Sequence, residues 1–284
     1  MSKTLEQLRA DLARDVGLFL TGVATGGLVG TLVDNQGFKH LVDNDALNNG
    51  MVYIRTDFGG AHAAPEGESR RISDYVAGTW TLSVDVNWTV APGAGDIYEI
   101  YRVPLTLAMW NQAINKAILE AWPEVWERNL YEVASTGVDS YVLPAAAQSV
   151  EAAQVYFTGA LAGWPAQPLP RGVWQEQGTP GTDLYLNLTS VIPATGRSLR
   201  VFYKTRYAEL VALGSTELDY SYLMAAAKAN LYEVLAGETG GQTDRSAYLQ
   251  LLNYWRGEAR LIKAALANAL AGGSGVAAAP KGGK

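Results

Sequence analysis

Apolar and polar positions along the chain switch repeatedly between the helical period and the strand period. Leu5, Leu8, Leu12, Val16 and Phe19 recur at helical spacing behind Thr4 and Gln7, the pattern of a capping box. Glu6, Arg9, Asp11, Arg14 and Asp15 occupy the remaining surface. This predicts an amphipathic helix whose apolar stripe must be covered, by its own domain or by another subunit.

From Gly22 the period becomes two, with turn residues at short intervals. In "WTLSVDVN" the alternation sets Trp80, Leu82, Val84 and Val86 on one face and Thr81, Ser83, Asp85 and Asn87 on the other. Gly78 and the stretch "APGAGD" supply the turns on either side. Residues 22–103 therefore predict a small antiparallel β-barrel or sandwich of about five or six strands.

Helical spacing returns with Leu107, Trp110, Ile114, Ile118, Ala121, Trp122 and Val125. Pro123 should end or kink this helix and open a second short one through Glu132. A second β-rich stretch follows, with "YVLPA", "AAQVYFTGAL", "RGVWQEQG", "DLYLNL" and "SLRVFYKTRY" as strand candidates. Two helices then run from Glu217 to Ala236 and from about Thr243 to Ala271, stopped by Gly237 and by Gly272–Gly273.

The organisation expected is an N-terminal helix (1–21), a β-module (22–103), platform helices (104–136), a second β-rich stretch (137–208), C-terminal platform helices (209–271) and a flexible arm (272–284). Helices with one apolar face need each other, so the expected class is α+β: a helical-bundle platform with two antiparallel β-modules inserted between helices and a flexible C-terminal arm.

Composition narrows the chemistry. The net charge is −6, from 22 Lys and Arg against 28 Asp and Glu, and no dense basic run occurs; this speaks against sequence-independent nucleic-acid binding. Without cysteine there are no disulfides and no thiolate metal ligands. The charged start "MSKTLEQLRADLARDVG" is not a signal peptide's apolar core, and the least polar run, "VGLFLTGVATGGLVGTLV", carries five glycines and reads as a helix end entering a strand rather than a membrane span.

Catalytic motifs are not legible. His40 and His62 fall in loops, with no spacing that ties either to a nucleophile or a carboxylate. "DNDALNNG" starts like a calcium loop but has Asn48, after Leu47, where glycine is needed and Ile54 where a bidentate glutamate is needed. Neither "GTPGTD" nor "TGVATGGLVG" continues as a phosphate loop. The expectation is no catalytic residue, no metal and no cofactor. Aromatic residues are more telling: with 8 Trp and 15 Tyr, positions such as Trp88, Tyr98, Tyr101, Trp164 and Trp174 are candidates for interface anchors or sugar stacking, as well as for cores poor in Phe.

In their order, the leading "LEQLRADLARDVG", the β-module "SRRISDY…TLSVD…WTVAPGAGDIYEIYR" and the helix "LTLAMWNQAINKAILEAWPEVWE" resemble the head–tail connector, or neck adaptor, proteins of tailed bacteriophages. The resemblance implies a virion protein assembled in the host bacterial cytoplasm, forming a ring of about twelve copies that binds the portal protein and tail or neck proteins. DNA would pass through such a ring without specific binding, and no membrane is involved. Read this way, Leu5, Leu8, Leu12, Trp88, Tyr101, Tyr248, Trp255, Ile262, Lys281 and Lys284 are candidates for subunit and partner interfaces. The alternative is a collar, fibre or baseplate protein whose β-module binds another virion protein or a carbohydrate, through Trp80, Trp88 or their neighbours.

Overall fold

The computed structural model describes residues 2–17, 19–58, 65–102, 105–157, 167–190, 197–211, 214–238 and 242–271. The chain divides into two compact units, Met1–Ala117 with Leu210–Arg260, and Ile118–Glu209 with Leu261–Lys284.

The first unit opens with β1 (Lys3–Thr4) and α1 (Leu5–Asp15). The capping box is present: the Gln7 backbone N–H donates to the Thr4 hydroxyl and the Thr4 N–H donates to the Gln7 side chain. Strands β2 (Phe19–Val23), β3 (Gly26–Leu28), β4 (Thr31–Val33), β5 (Met51–Thr56), β6 (Ser69–Val76), β7 (Thr81–Val84) and β8 (Ile97–Tyr101) follow. They form one seven-stranded antiparallel sheet in the order β2-β8-β5-β6-β7-β4-β3. Its two end strands belong to one continuous run. Ala24 N–H donates to Asp96 O on the β8 side (2.8 Å), and the next residue, Thr25, donates to Val33 O on the β4 side (2.7 Å). The sheet thereby closes on itself as a barrel, pairing strand groups that would otherwise be an open edge. Inside lie Leu32, Phe38, Leu47, Val52, Ile54, Ile72, Tyr75, Leu82, Trp88, Tyr98 and Ile100.

The alternation around Trp80 is shorter than expected. Only Leu82 and Val84 of that set are buried; Val86 is exposed, and Trp80 sits in the β6–β7 turn with φ at +51° and 39% of its surface exposed. The turn starting at Ala77 ends the ladder one residue before the pattern would.

After α2 (Leu107–Glu120) the chain enters the second unit. The short helix expected through Glu132 is instead strand β9 (Glu127–Ala134), paired with β15 (Arg197–Thr205) along its whole length. Tyr131 and Val133, two apart, pack on the core, while Arg128 and Glu132 are exposed, so period two wins once Pro123 has stopped the helix. The remaining strands are β10 (Ser140–Val142), β11 (Ser149–Phe157), β12 (Gln167–Leu169), β13 (Trp174–Gln177) and β14 (Tyr185–Leu188). A four-stranded sheet, β12-β11-β15-β9, and a three-stranded one, β10-β14-β13, share a single core that includes Val150, Val155, Leu199 and Val201 from the first and Tyr141, Trp174, Leu186 and Leu188 from the second. That arrangement is a β-sandwich.

The chain returns to the first unit with β16 (Ser215–Thr216), which pairs with β1, and α3 (Tyr220–Glu238). Residues 222–231 of α3 are buried without interruption, including Lys228 and Asn230. A helix buried all round needs a partner on every side. α1 contributes Asp15 to Lys228 (2.8 Å), α2 offers Ala113 O to Asn230 (3.3 Å), and α4 (Gln242–Ala271) lays Trp255 on Lys228 (4.1 Å).

The helical-bundle platform is therefore corrected. Sixteen strands in sheets of seven, four, three and two dominate the described residues, against four α-helices. Each β-region carries its own core instead of hanging from helices. Among the described residues no helix is long and apolar enough to cross a membrane. The expected arm, 272–284, lies outside the described residues, as do His62 and Trp164.

Barrel closure brings Tyr98 across its strand partner Gly22, where a Cβ would stand 2.2 Å from the phenolic oxygen. Gly22→Ala should destabilise the protein by about 1–3 kcal/mol, the usual range for forced overpacking, read as a lower urea midpoint at unchanged slope.

Candidate functional site

β8 is buried on both faces. Tyr98 and Ile100 point into the barrel, while Glu99 and Tyr101 point out beneath α1 and α2. Leu5, Leu8 and Leu12 of α1 are buried within the chain, so the stripe expected at a subunit interface is already covered. Arg9, beside that stripe, reaches the outward carboxylate. Its Nε donates to Tyr101 Oη (2.6 Å), Nη2 to Glu99 Oε2 (3.3 Å) and Nη1 to Asn111 Oδ1 of α2 (3.3 Å). Tyr101 donates to the same Glu99 oxygen, and Arg55 Nη1 stands 3.6 Å from Oε1. The guanidinium also lies over the Tyr53 ring, 4.8 Å from its centroid, and Tyr53 donates to Glu6 of α1 (2.9 Å). Arg9 and Glu99 are 3% and 0% exposed, a fully desolvated pair satisfied on several sides. Burial pushes the Tyr53 phenol up to about 12, with Glu6 adding to the shift, and burial raises Tyr98 and Tyr101 further.

Next to this network, β1, α1 and Arg55 line an open hollow of about 580 Å³. Its charges are matched to one another: Lys3 and Arg14 pair with Asp11, Arg55 faces Glu99, and Glu6 holds Tyr53. Glu6 and Asp11 are both paired, so the hollow reads as a seam that closes α1 onto the barrel, with Glu99 Oε1 buried behind it, without a hydrogen bond and 3.6 Å from Arg55. Among the described residues no group of three metal-ligating side chains converges.

The other predicted residues fall in three places. Trp88 is buried in the barrel core, and Tyr101 is buried against Phe19 and Trp110, at 5.5 and 5.6 Å between centroids. Tyr248 stacks on Tyr232 of α3 and Trp255 lies under Lys228, both half-buried on the inward stripe of α4 with Leu252. Ile262, further along α4, is half-buried in the second unit, and Lys281 and Lys284 lie outside the described residues.

Sequence reasoning singles out none of the exposed apolar residues that α4 carries outside its inward stripe. Leu251 and Tyr254, three apart on one flank, are 39% and 57% exposed, and Leu249 on the other flank is 41% exposed, although the inward stripe is already satisfied. The signal was in the sequence. Tyr248, Leu249, Leu251, Leu252, Tyr254 and Trp255 are too many apolar residues in two turns for one face. Compared with known proteins, the chain matches no family model, and no curated protein is significantly similar to it.

Two measurements check the buried network. Glu99→Ala leaves Arg9 charged and buried and should cost about 3–5 kcal/mol in denaturant unfolding. Tyr53 holds its proton in the folded state up to about 12, whereas an unfolded tyrosine loses it near 10. Stability should therefore be unaffected by this group below about pH 10 and fall as pH rises from there towards 12, with Tyr53→Phe flattening that alkaline limb.

Proposed function

We propose that this chain is an assembly subunit, and specifically a structural protein of a tailed-phage neck: an adaptor ring of about twelve copies between portal and tail, through which DNA passes. Two different supports carry the two parts of that reading. Assembly is supported by the flank of α4 where Leu251 and Tyr254, three residues apart, stand exposed on a helix whose inward stripe already packs. An aromatic residue beside a leucine on an exposed helix flank is the composition of an interface anchor. The neck assignment rests on the order of sequence segments that resemble connector proteins.

The test is native mass. The intact chain, alone and mixed with a portal ring, should run as a closed ring of about a dozen copies in at least one of the two conditions. Leu251→Glu with Tyr254→Glu should abolish the ring while changing monomer stability by less than about 1 kcal/mol, because both residues are exposed. Leu252→Glu, one residue away but buried, should unfold the chain instead. A trimer would move the protein to the fibre or collar class, and a ring that survives the double variant would clear this face of α4.

A further inference from the structure

The outer face of the four-stranded sheet carries a row of cations, continued by Arg206 just past the end of β15. On β15, Leu199, Val201 and Tyr203 enter the sandwich core, which turns Arg200, Phe202 and Lys204 outward. Their partners on β9 share that face: Glu132 opposite Arg200, Leu130 opposite Phe202, and Arg128 opposite Lys204. The first pair is an ion pair, Arg200 with Glu132. The last sets two like charges directly across from each other, an arrangement that weakens a sheet.

Each cation of this end lies over an aromatic ring. Arg128 is 4.4 Å from the centre of Phe202, Lys204 Nζ is 3.7 Å from Trp126, and Arg206 is 5.4 Å from Trp122. Arg128 also meets Glu151 at 2.8 Å, and Glu124, between the two tryptophans in sequence, is taken by Lys263 at 2.6 Å. Among the described residues no carboxylate oxygen comes within 4.0 Å of the side-chain nitrogens of Lys204 or Arg206. In a chain with six more acidic than basic residues, two neighbouring cations with no carboxylate partner call for an anion from outside.

We propose that Arg128, Lys204 and Arg206 form a contact for the phosphodiester backbone of nucleic acid. The spacing suits a repeating anion: Arg128 and Lys204 stand directly opposite each other, about 5 Å apart across the strand pair, and Arg206 follows two residues further along the chain. A cation laid on indole keeps its N–H groups towards solvent and loses little freedom on meeting a phosphate. Lys204 lies on a strand paired on both sides, so its main chain is closed to an added peptide strand, and recognition there is by charge alone. This inference goes beyond the neck reading and does not depend on it.

The experiment is fluorescence anisotropy of the full chain with a short labelled duplex and with the corresponding single strand, across a salt series. Three phosphate contacts predict a slope of log K against log salt of about −2.7 for duplex and about −2 for single strand. Lys204→Ala and Arg206→Ala should each reduce the duplex slope by about 0.9, Lys204→Arg should preserve it, and Lys204→Glu with Arg206→Glu should abolish binding with the thermal melt retained. Should the double variant fail to fold, the two alanine variants carry the same test. No binding by the wild-type chain at the lowest salt, or a slope the alanine variants leave unchanged, overturns the proposal. A glutamate-rich peptide that binds the row more tightly than either nucleic acid would also overturn it, making the surface a protein contact.

Discussion

The pair formed by Arg9 and Glu99 is the constraint on which the first unit depends. A carboxylate on the outer face of β8 would sit in water if the barrel stood alone. Covering that strand with α1 and α2 removes the water, and the desolvated charge then demands a guanidinium at one place and orientation. Hydrophobic stripes such as Leu5, Leu8 and Leu12 tolerate small slides of a helix, but a fork shared among Glu99, Tyr101 and Asn111 does not. With α1 fixed, its end carries Asp15 to Lys228, and α3 can be buried on all sides with its one lysine neutralised. The ionic contacts supply position more than net stability.

Local regularities were legible in the sequence. The capping box, the existence of the last two helices, the turn at Gly78 and most strands of both β-regions follow from side-chain period and turn chemistry. What failed was non-local. Nothing in residues 1–15 announces that position 9 will meet position 99, so the cover for the first helix was assigned to other helices and the chain to a helical platform. The segment "ERNLYEVA" offers several good helix formers, and only its eight-residue pairing with β15 makes it strand β9. Trp88 and Tyr101 have the residue type of interface anchors, but closure of the barrel and docking of α1 bury them. The excess of apolar residues on α4 was visible, but the choice between its two faces needed α3.

Net charge gave a related lesson. A sum of −6 over the chain describes the far field, and it hides Arg128 and Lys204, which period-two geometry sets across from each other on one sheet face, and Arg206 just past the end of β15. In both α4 and β15 one side of an element is spent on folding and the other is left with side chains the fold does not need. Such surplus, on a rigid element, is where binding is most economically placed.

The first unit is discontinuous in sequence. Its barrel is complete by Tyr101, but the helix buried at its centre and the strand that pairs with β1 come only after residue 209. During synthesis at about 5–20 residues per second, the barrel and α1 must wait roughly 5–20 s for β16 and α3 to emerge. The sandwich, encoded without interruption between residues 118 and 209 apart from the segment beginning at Leu261, can fold in that interval. Translation order thus makes the inserted unit an early product of biosynthesis and the unit that encloses it a late one.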